Sequence, residues 1–162
     1  MKYVFDRTIE EVMRAIELRG KVTQSGITAL TSEEQTEYLS GLKGAYNYQD
    51  LNRVEGNTQE LAARLVVGGY AANVSAPKTW TMADFPTVGE LERIRQNIVA
   101  LRAALKLHSS VPQTPSNLNP MDIGKANNLE RIQYEVDKAL NAITSMLINL
   151  GTFYIGEGGF LI

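Results

Sequence analysis

Apolar residues recur along this chain at steps of three and four, and polar capping residues mark where the runs begin. Leu91, Ile94, Ile98, Leu101 and Leu105 form one run, the one-sided stripe of an amphipathic helix that packs in a bundle. Leu129, Ile132, Val136, Ala139/Leu140, Ile143, Leu147 and Leu150 form a longer one. Thr8 and Glu11, Thr31 and Glu34, and Thr87 and Glu90 each make a Thr-x-x-Glu box. In such a box the hydroxyl accepts the third helical amide while the carboxylate reaches back to the cap amide. Gly20, Gly41 and Gly68-Gly69 follow the first three runs as stops, because glycine takes the left-handed conformation that ends a helix. The pattern predicts helices over 8–19, 32–40, 48–67, 88–107 and 121–150, with Gly151 as the last stop. The expected fold is mainly α, a multi-helix bundle of about five helices.

Three stretches break the helical pattern. Residues 70–80 contain Val74, Pro77, Thr79 and Trp80, an extended composition. Residues 109–120 are rich in Ser, Asn and Pro and read as a linker. The tail, 151–162, alternates aromatics and glycines, and Tyr3–Phe5 is β-like at the other end. A small extended or β element is therefore expected near residues 70–80 and the C-terminal tail. The chain reads as a single helical domain over 1–162, divisible into sub-units 1–69 and 81–150 joined by segment 70–80, with the tail 151–162 beyond.

Leu51-Asn52-Arg53-Val54, Leu91-Glu92-Arg93-Ile94 and Leu129-Glu130-Arg131-Ile132 share one pattern early in three long helices. Similar amphipathic helices that pack their seams together account for it. Arg53, Arg93 and Arg131 then fall on a flank, suited to interhelical ion pairs with Glu55, Glu92 or Glu130. A triplet that binds an anion is the alternative.

Composition narrows the chemistry. The chain is 44% hydrophobic over 162 residues, enough for a real core. Lys+Arg number 16 against 18 Asp+Glu, so no basic excess points to nucleic acid. The absence of Cys removes disulfides, thiolate metal sites and cysteine nucleophiles. A single His, His108, reads as a last-turn residue complementing the dipole of the fourth helix. Glu10-Glu11 and Glu33-Glu34 fall in first turns, where negative charge is favoured. Gly41-Leu42-Lys43-Gly44 reads as a helix–helix turn. Gly156-Glu157-Gly158-Gly159 has no helix after it to bind phosphate. No catalytic, cofactor-binding or metal residues are assigned.

Residues 139–156 carry no charge but include too many polar and glycine positions for a membrane span. The start reaches Asp6 before an apolar signal segment forms. The apolar end instead suggests a protein interface at Leu147, Leu150, Phe153, Tyr154, Ile155, Phe160, Leu161 and Ile162. Tyr46, Tyr48, Tyr70, Trp80 and Phe85 form an aromatic set that either anchors the 70–80 segment on the core or faces a partner.

Residues 41–55, GLKGAYNYQDLNRVE, and 78–87, KTWTMADFPT, resemble a group of small proteins and domains encoded in tail modules of phages and prophages of gut and other Gram-positive bacteria. In that group a GLKGAYN–DLNRVE block, a TW–D-P-T block and a closing Gly-Glu segment follow in this order, covering most of this chain. The resemblance implies a virion structural role in or near a baseplate or tail fibre, assembled in the host cytoplasm, with no functional residues to carry over. The expectation is a non-enzymatic structural protein acting through contacts with other tail proteins and with itself, without nucleic acid or a membrane span. The alternative is a helical adaptor or regulatory protein that binds a protein partner.

Overall fold

All four helices that start within the first hundred residues open on a reciprocal capping box, and these boxes set the element order. The structure is a computed structural model that describes the backbone of residues 1–157 and the side chains of 1–147. Helix α1 spans Ile9–Ser25, α2 Ser32–Ser40, α3 Tyr48–Val67, α4 Val88–Ala104 and α5 Ile123–Glu157, with a single 3-10 turn at Ile27–Ala29. The expected boxes at Thr8, Thr31 and Thr87 are all closed. A fourth, Asn47 with Asp50, opens α3.

Helices α3, α4 and α5 pack against one another. Their seams meet in one core that includes Leu51 and Val54, Leu91 and Ile94, and Leu129 and Ile132, so the three Leu-x-Arg-Val/Ile segments do converge. Burying each aliphatic side chain contributes about 1.5–3 kcal/mol. Inside the core, Gln133 donates to the Val54 carbonyl at 2.7 Å and to the Thr58 hydroxyl at 2.8 Å. Helix α3 ends in a Schellman motif: Tyr70 N–H bonds the Leu65 carbonyl at 2.9 Å and Gly69 N–H bonds Val66 at 3.0 Å. Gly69 takes φ 82°, the conformation that glycine adopts without strain.

Four expectations need correction. Gly20 does not end α1, which continues to Ser25 and stops at Gly26 with φ 76°. Gly151 likewise lies within α5, which runs to Glu157, so the tail is not extended over 151–157. One glycine costs a helix about 1 kcal/mol, which the helical residues on either side override at Gly20 and Gly151. Helix α4 stops at Ala104 because Leu105 turns extended and packs, with Leu107, on the core. His108 therefore lies beyond the helix, where Ser110 N–H donates to its Nδ1 at 3.2 Å.

The fourth correction concerns the β element: there is no strand among the described residues. Residues 70–80 are indeed non-helical, but their backbone is bonded by helix side chains. Asn52 accepts from Trp80 N–H and donates to its carbonyl, both at 2.8 Å. Asn97 holds Ser75 in the same two-way fashion, at 2.8 and 3.1 Å. Asn127 holds Arg7 at 3.2 and 3.0 Å, and Asn57 donates to the Lys2 carbonyl. A side-chain amide offers the same donor and acceptor as a neighbouring strand. The extended segments are thus satisfied without pairing with each other.

Candidate protein-interaction groove

Trp80 ties residues 41–55 and 78–87 into one unit. It is 2% exposed, its backbone is held by Asn52, and its indole N–H donates to Glu55 at 2.7 Å. Glu55 is itself buried and receives the Arg93 guanidinium at 2.5 and 2.7 Å. Lys78 stacks its ammonium over the Trp80 ring at 4.2 Å. Residues 78–80 and the first two turns of α3 are locked together.

Past this lock the chain turns outward at Thr81–Pro86. Thr81 N–H and hydroxyl donate to Asp84 at 2.7 and 2.6 Å, an Asp-closed turn that presents Met82 and Phe85. Phe85 is 86% exposed. Facing it are Tyr38 and Leu39 from the end of α2, Leu42 from the α2–α3 turn, and Tyr48 from the start of α3. With Met121 before α5, they line a groove of about 410 Å³ whose walls are mainly apolar. The aromatic set therefore divides. Trp80 is core, Tyr46, Tyr48 and Tyr70 pack partly buried on its edge, and Phe85 faces outward.

Beneath the groove lies a buried ionic cluster. Arg7 donates to Asp50 at 2.8 Å and Glu130 at 2.9 Å. Arg53 reaches the same two carboxylates at 2.5 and 2.8 Å. Glu130 also accepts the Val4 amide at 2.7 Å. Two cations balance two anions, and the carboxylates are satisfied from several sides, as burial requires. Burial works against the Arg53 charge, but the bonds to Glu130 and Asp50 outweigh it and raise its pKa further. The Arg7 guanidinium stacks on Tyr46 at 5.3 Å. Burial drives the Tyr46 phenol far above its ordinary range, with Glu130 and Asp50 adding to the effect. Its buried hydroxyl has no hydrogen-bond partner among the described residues. Tyr46 also lines a smaller cavity of about 280 Å³ between α1 and the start of α5.

The arginine flank is settled in part as expected. Arg53 pairs across to Glu130 and Arg93 across to Glu55, whereas Arg131 pairs along its own helix with Glu135 and lies over Phe5 and Tyr134. The three do not converge on an anion site. Glu92 pairs with Arg95 instead. Glu11 and Glu34 serve as cap acids, while Glu10 and Glu33 face solvent. His108 lines neither cavity. No cluster of three or more His, Asp or Glu that would hold a metal occurs among the described residues.

Of the expected interface residues, Leu147 is on α5 and 62% exposed. Leu150, Phe153, Tyr154 and Ile155 lie on the α5 backbone, with side chains outside the described set; Phe160, Leu161 and Ile162 lie outside the described residues. No described helix is long and apolar enough to cross a membrane. Sequence reasoning missed Tyr38, Leu39, Met82 and Met121 of the groove. Two signals pointed there: a Tyr-Leu pair closing α2 just before Gly41, and a Met and Phe flanking an Asp within a short turn. No family model, curated protein or solved structure matches this chain.

Proposed function

We propose that this protein is a non-enzymatic structural component of a phage or prophage-derived tail, in or near its baseplate or fibre, and that it acts by protein–protein contact. One observation carries the reading. The two segments that resemble tail-module proteins, 41–55 and 78–87, lie side by side and supply most of the groove lining. A family signature confined to core positions would speak only for a fold. Here the segments that hold it also present the exposed Met82 and Phe85, which a bundle does not need for its own stability. Contiguous exposed apolar surface of this kind serves interfaces, and Tyr, Met and Phe are the residues enriched in them.

The test is to purify tail particles from the phage that encodes the gene and probe them by mass spectrometry and immunogold labelling. The protein is expected in the particles, with label at the tail tip or fibre. A protein abundant in the lysate yet missing from intact particles overturns the reading and favours the adaptor alternative.

A further inference from the structure

We infer that the groove's occupant is a second copy of this chain, bound head to tail: the C-terminal part of α5 from one copy docks between Tyr38, Leu42, Tyr48, Met82, Phe85 and Met121 of the next. The inference deepens the assembly reading above and rests on it.

The donor surface is visible on α5. Among the described side chains Leu140 is the last buried core residue of that helix, and beyond it Met146 and Leu147 are 64% and 62% exposed. The stretch 139–156 carries no charge, and Ile143, Leu147 and Leu150 continue the apolar stripe of α5 along one side of it. The acceptor is the groove, with Phe85 and Met82 standing out from its rim.

Geometry decides between self-docking and docking on a neighbour. The groove borders Met121, two residues before α5 begins, whereas the donor is the other end of the same helix. Helix α5 has 35 residues, about 52 Å of straight rod. One copy cannot bend it back into its own groove, but the next copy can receive it. A heterologous contact of this kind repeats, closing into a ring or running on as a filament.

Charge complementarity supports the same occupant. Arg19 lines the groove edge, and among the described residues its guanidinium has no carboxylate at ion-pair distance, unlike Arg14 and Lys21 on the same helix. The groove's own acid, Asp84, is taken by Thr81 and Lys78. The donor's first charge after Lys138 is Glu157, an acid at the end of an apolar segment. That is what a groove with one unpaired cation at its edge would receive.

Sedimentation velocity on the full chain and two exposed-site variants tests this. Wild type is expected to self-associate with concentration. Phe85→Asp in the acceptor and Leu147→Asp in the donor should each be monomeric, with unchanged circular dichroism. An equimolar mixture of the two should give a one-to-one dimer and nothing larger, since only one intact donor and one intact acceptor can meet. As a milder pair, Arg19→Glu should weaken association about two- to fivefold, and adding Glu157→Arg should restore it. A monomeric wild type overturns the inference, as does a Phe85→Asp variant that still associates, which would mean that α5 ends pack on one another. A monomeric protein that is nonetheless found in tail particles defeats this inference alone and leaves the tail reading standing.

Discussion

The α1–α2 hairpin and the α3–α4–α5 bundle are built from similar residues and held together by opposite means. The hairpin is laced by surface charge: Arg14 to Glu37 and Glu17, and Lys21 to Glu17 and Glu34. Its buried side chains are small in number, with Ala15 and Leu18 from α1, Leu30 beside it, and none from α2. It leaves Ile9, Met13 and Ile16 exposed. The bundle has a continuous apolar core and also buries one ionic group, in which Arg7, Asp50, Glu130 and Arg53 balance. Exposed pairs contribute about 0–1 kcal/mol each. A buried group is different, because losing one member leaves a charge stranded. Identical ionic chemistry is therefore dispensable in one region and obligatory in the other.

The largest effect should follow from unbalancing the buried group. Glu130→Ala leaves Arg7 and Arg53 short of their shared carboxylate and should cost about 3–5 kcal/mol, read as a fall in the urea midpoint of Trp80 fluorescence. A change below 1 kcal/mol would mean that water reaches the cluster freely, and the contrast between regions would lose its basis.

Trp80→Ala should cost a similar amount, about 3–5 kcal/mol, and for two separable reasons. It opens a cavity, and it removes the indole donor from Glu55. Trp80→Phe keeps most of the ring and should recover more than half of the loss, measured by chemical denaturation. Equal losses for Ala and Phe would assign the role of Trp80 to its hydrogen bond alone.

Gly44 governs how the hairpin meets the bundle. A Cβ there would sit 2.1 Å from the Glu11 carbonyl oxygen and 2.5 Å from the Val12 nitrogen, both backbone atoms that cannot swing aside. Gly44→Ala should push α1 off the α2–α3 turn at a cost of about 1–3 kcal/mol. It should also disturb the Lys43 bridges to Asp6 and Glu11. Backbone NMR shifts should change in α1 and at residues 41–46 while the α4–α5 contact keeps its own. Shifts confined to residue 44 would show that the close approach relaxes at no cost.

Acid should separate the regions without any mutation. Lys21 holds the Glu17 and Glu34 carboxyls below their ordinary value of 4.5, with Arg14 and the Thr31 amide assisting. Groups with a depressed folded pKa stabilise the fold above their ordinary pKa and lose that contribution as pH falls through the folded value. Hairpin shifts in α1 and α2 should therefore begin to move below about pH 4.5. The cap of α4 should persist further, because Lys78 and Thr87 lower Glu90 to about 2. Simultaneous loss of both would indicate one electrostatic unit.

Much of this fold was legible in the residues, and the part that was not shares one cause. Capping boxes are local, so Thr8, Thr31 and Thr87 could be read directly, and the seam residues Leu91, Ile94 and Ile98 follow from periodicity alone. Asn47 with Asp50 was overlooked because the pair departs from the Ser/Thr-x-x-Glu form while doing the same work. The absent β element could not be foreseen, since Asn52, Asn97 and Asn127 look like ordinary surface amides until the fold sets extended backbone against them. The groove is legible only in fragments: Phe85 and Tyr48 stand out, but their meeting with Tyr38 and Met121 joins four separate segments. Arg7 is not legible as a core residue, because a lone arginine before a helix gives no sign that it will be buried.

The smallest effect compares the two regions most directly, because the same substitution can be made in each. Gly20 in α1 and Gly56 in α3 are both helix-interior, and a Cβ at either would meet nothing within 4 Å. Alanine at each should stabilise its helix by about 0.4–1 kcal/mol, mainly by restricting the unfolded chain. The location of that gain is what differs. Helix α3 contributes Leu51, Val54, Leu61 and Leu65 to the core, so Gly56→Ala should raise the global unfolding midpoint seen by Trp80. Helix α1 packs on the 3-10 turn and α2 and can open without exposing that core. Gly20→Ala should then slow amide exchange within α1 while leaving the Trp80 midpoint where it was, as expected for a unit that unfolds below the global free energy. An equal rise of the midpoint for both variants would mean that hairpin and bundle unfold as one, and that the surface ion pairs couple the regions more tightly than their exposure implies.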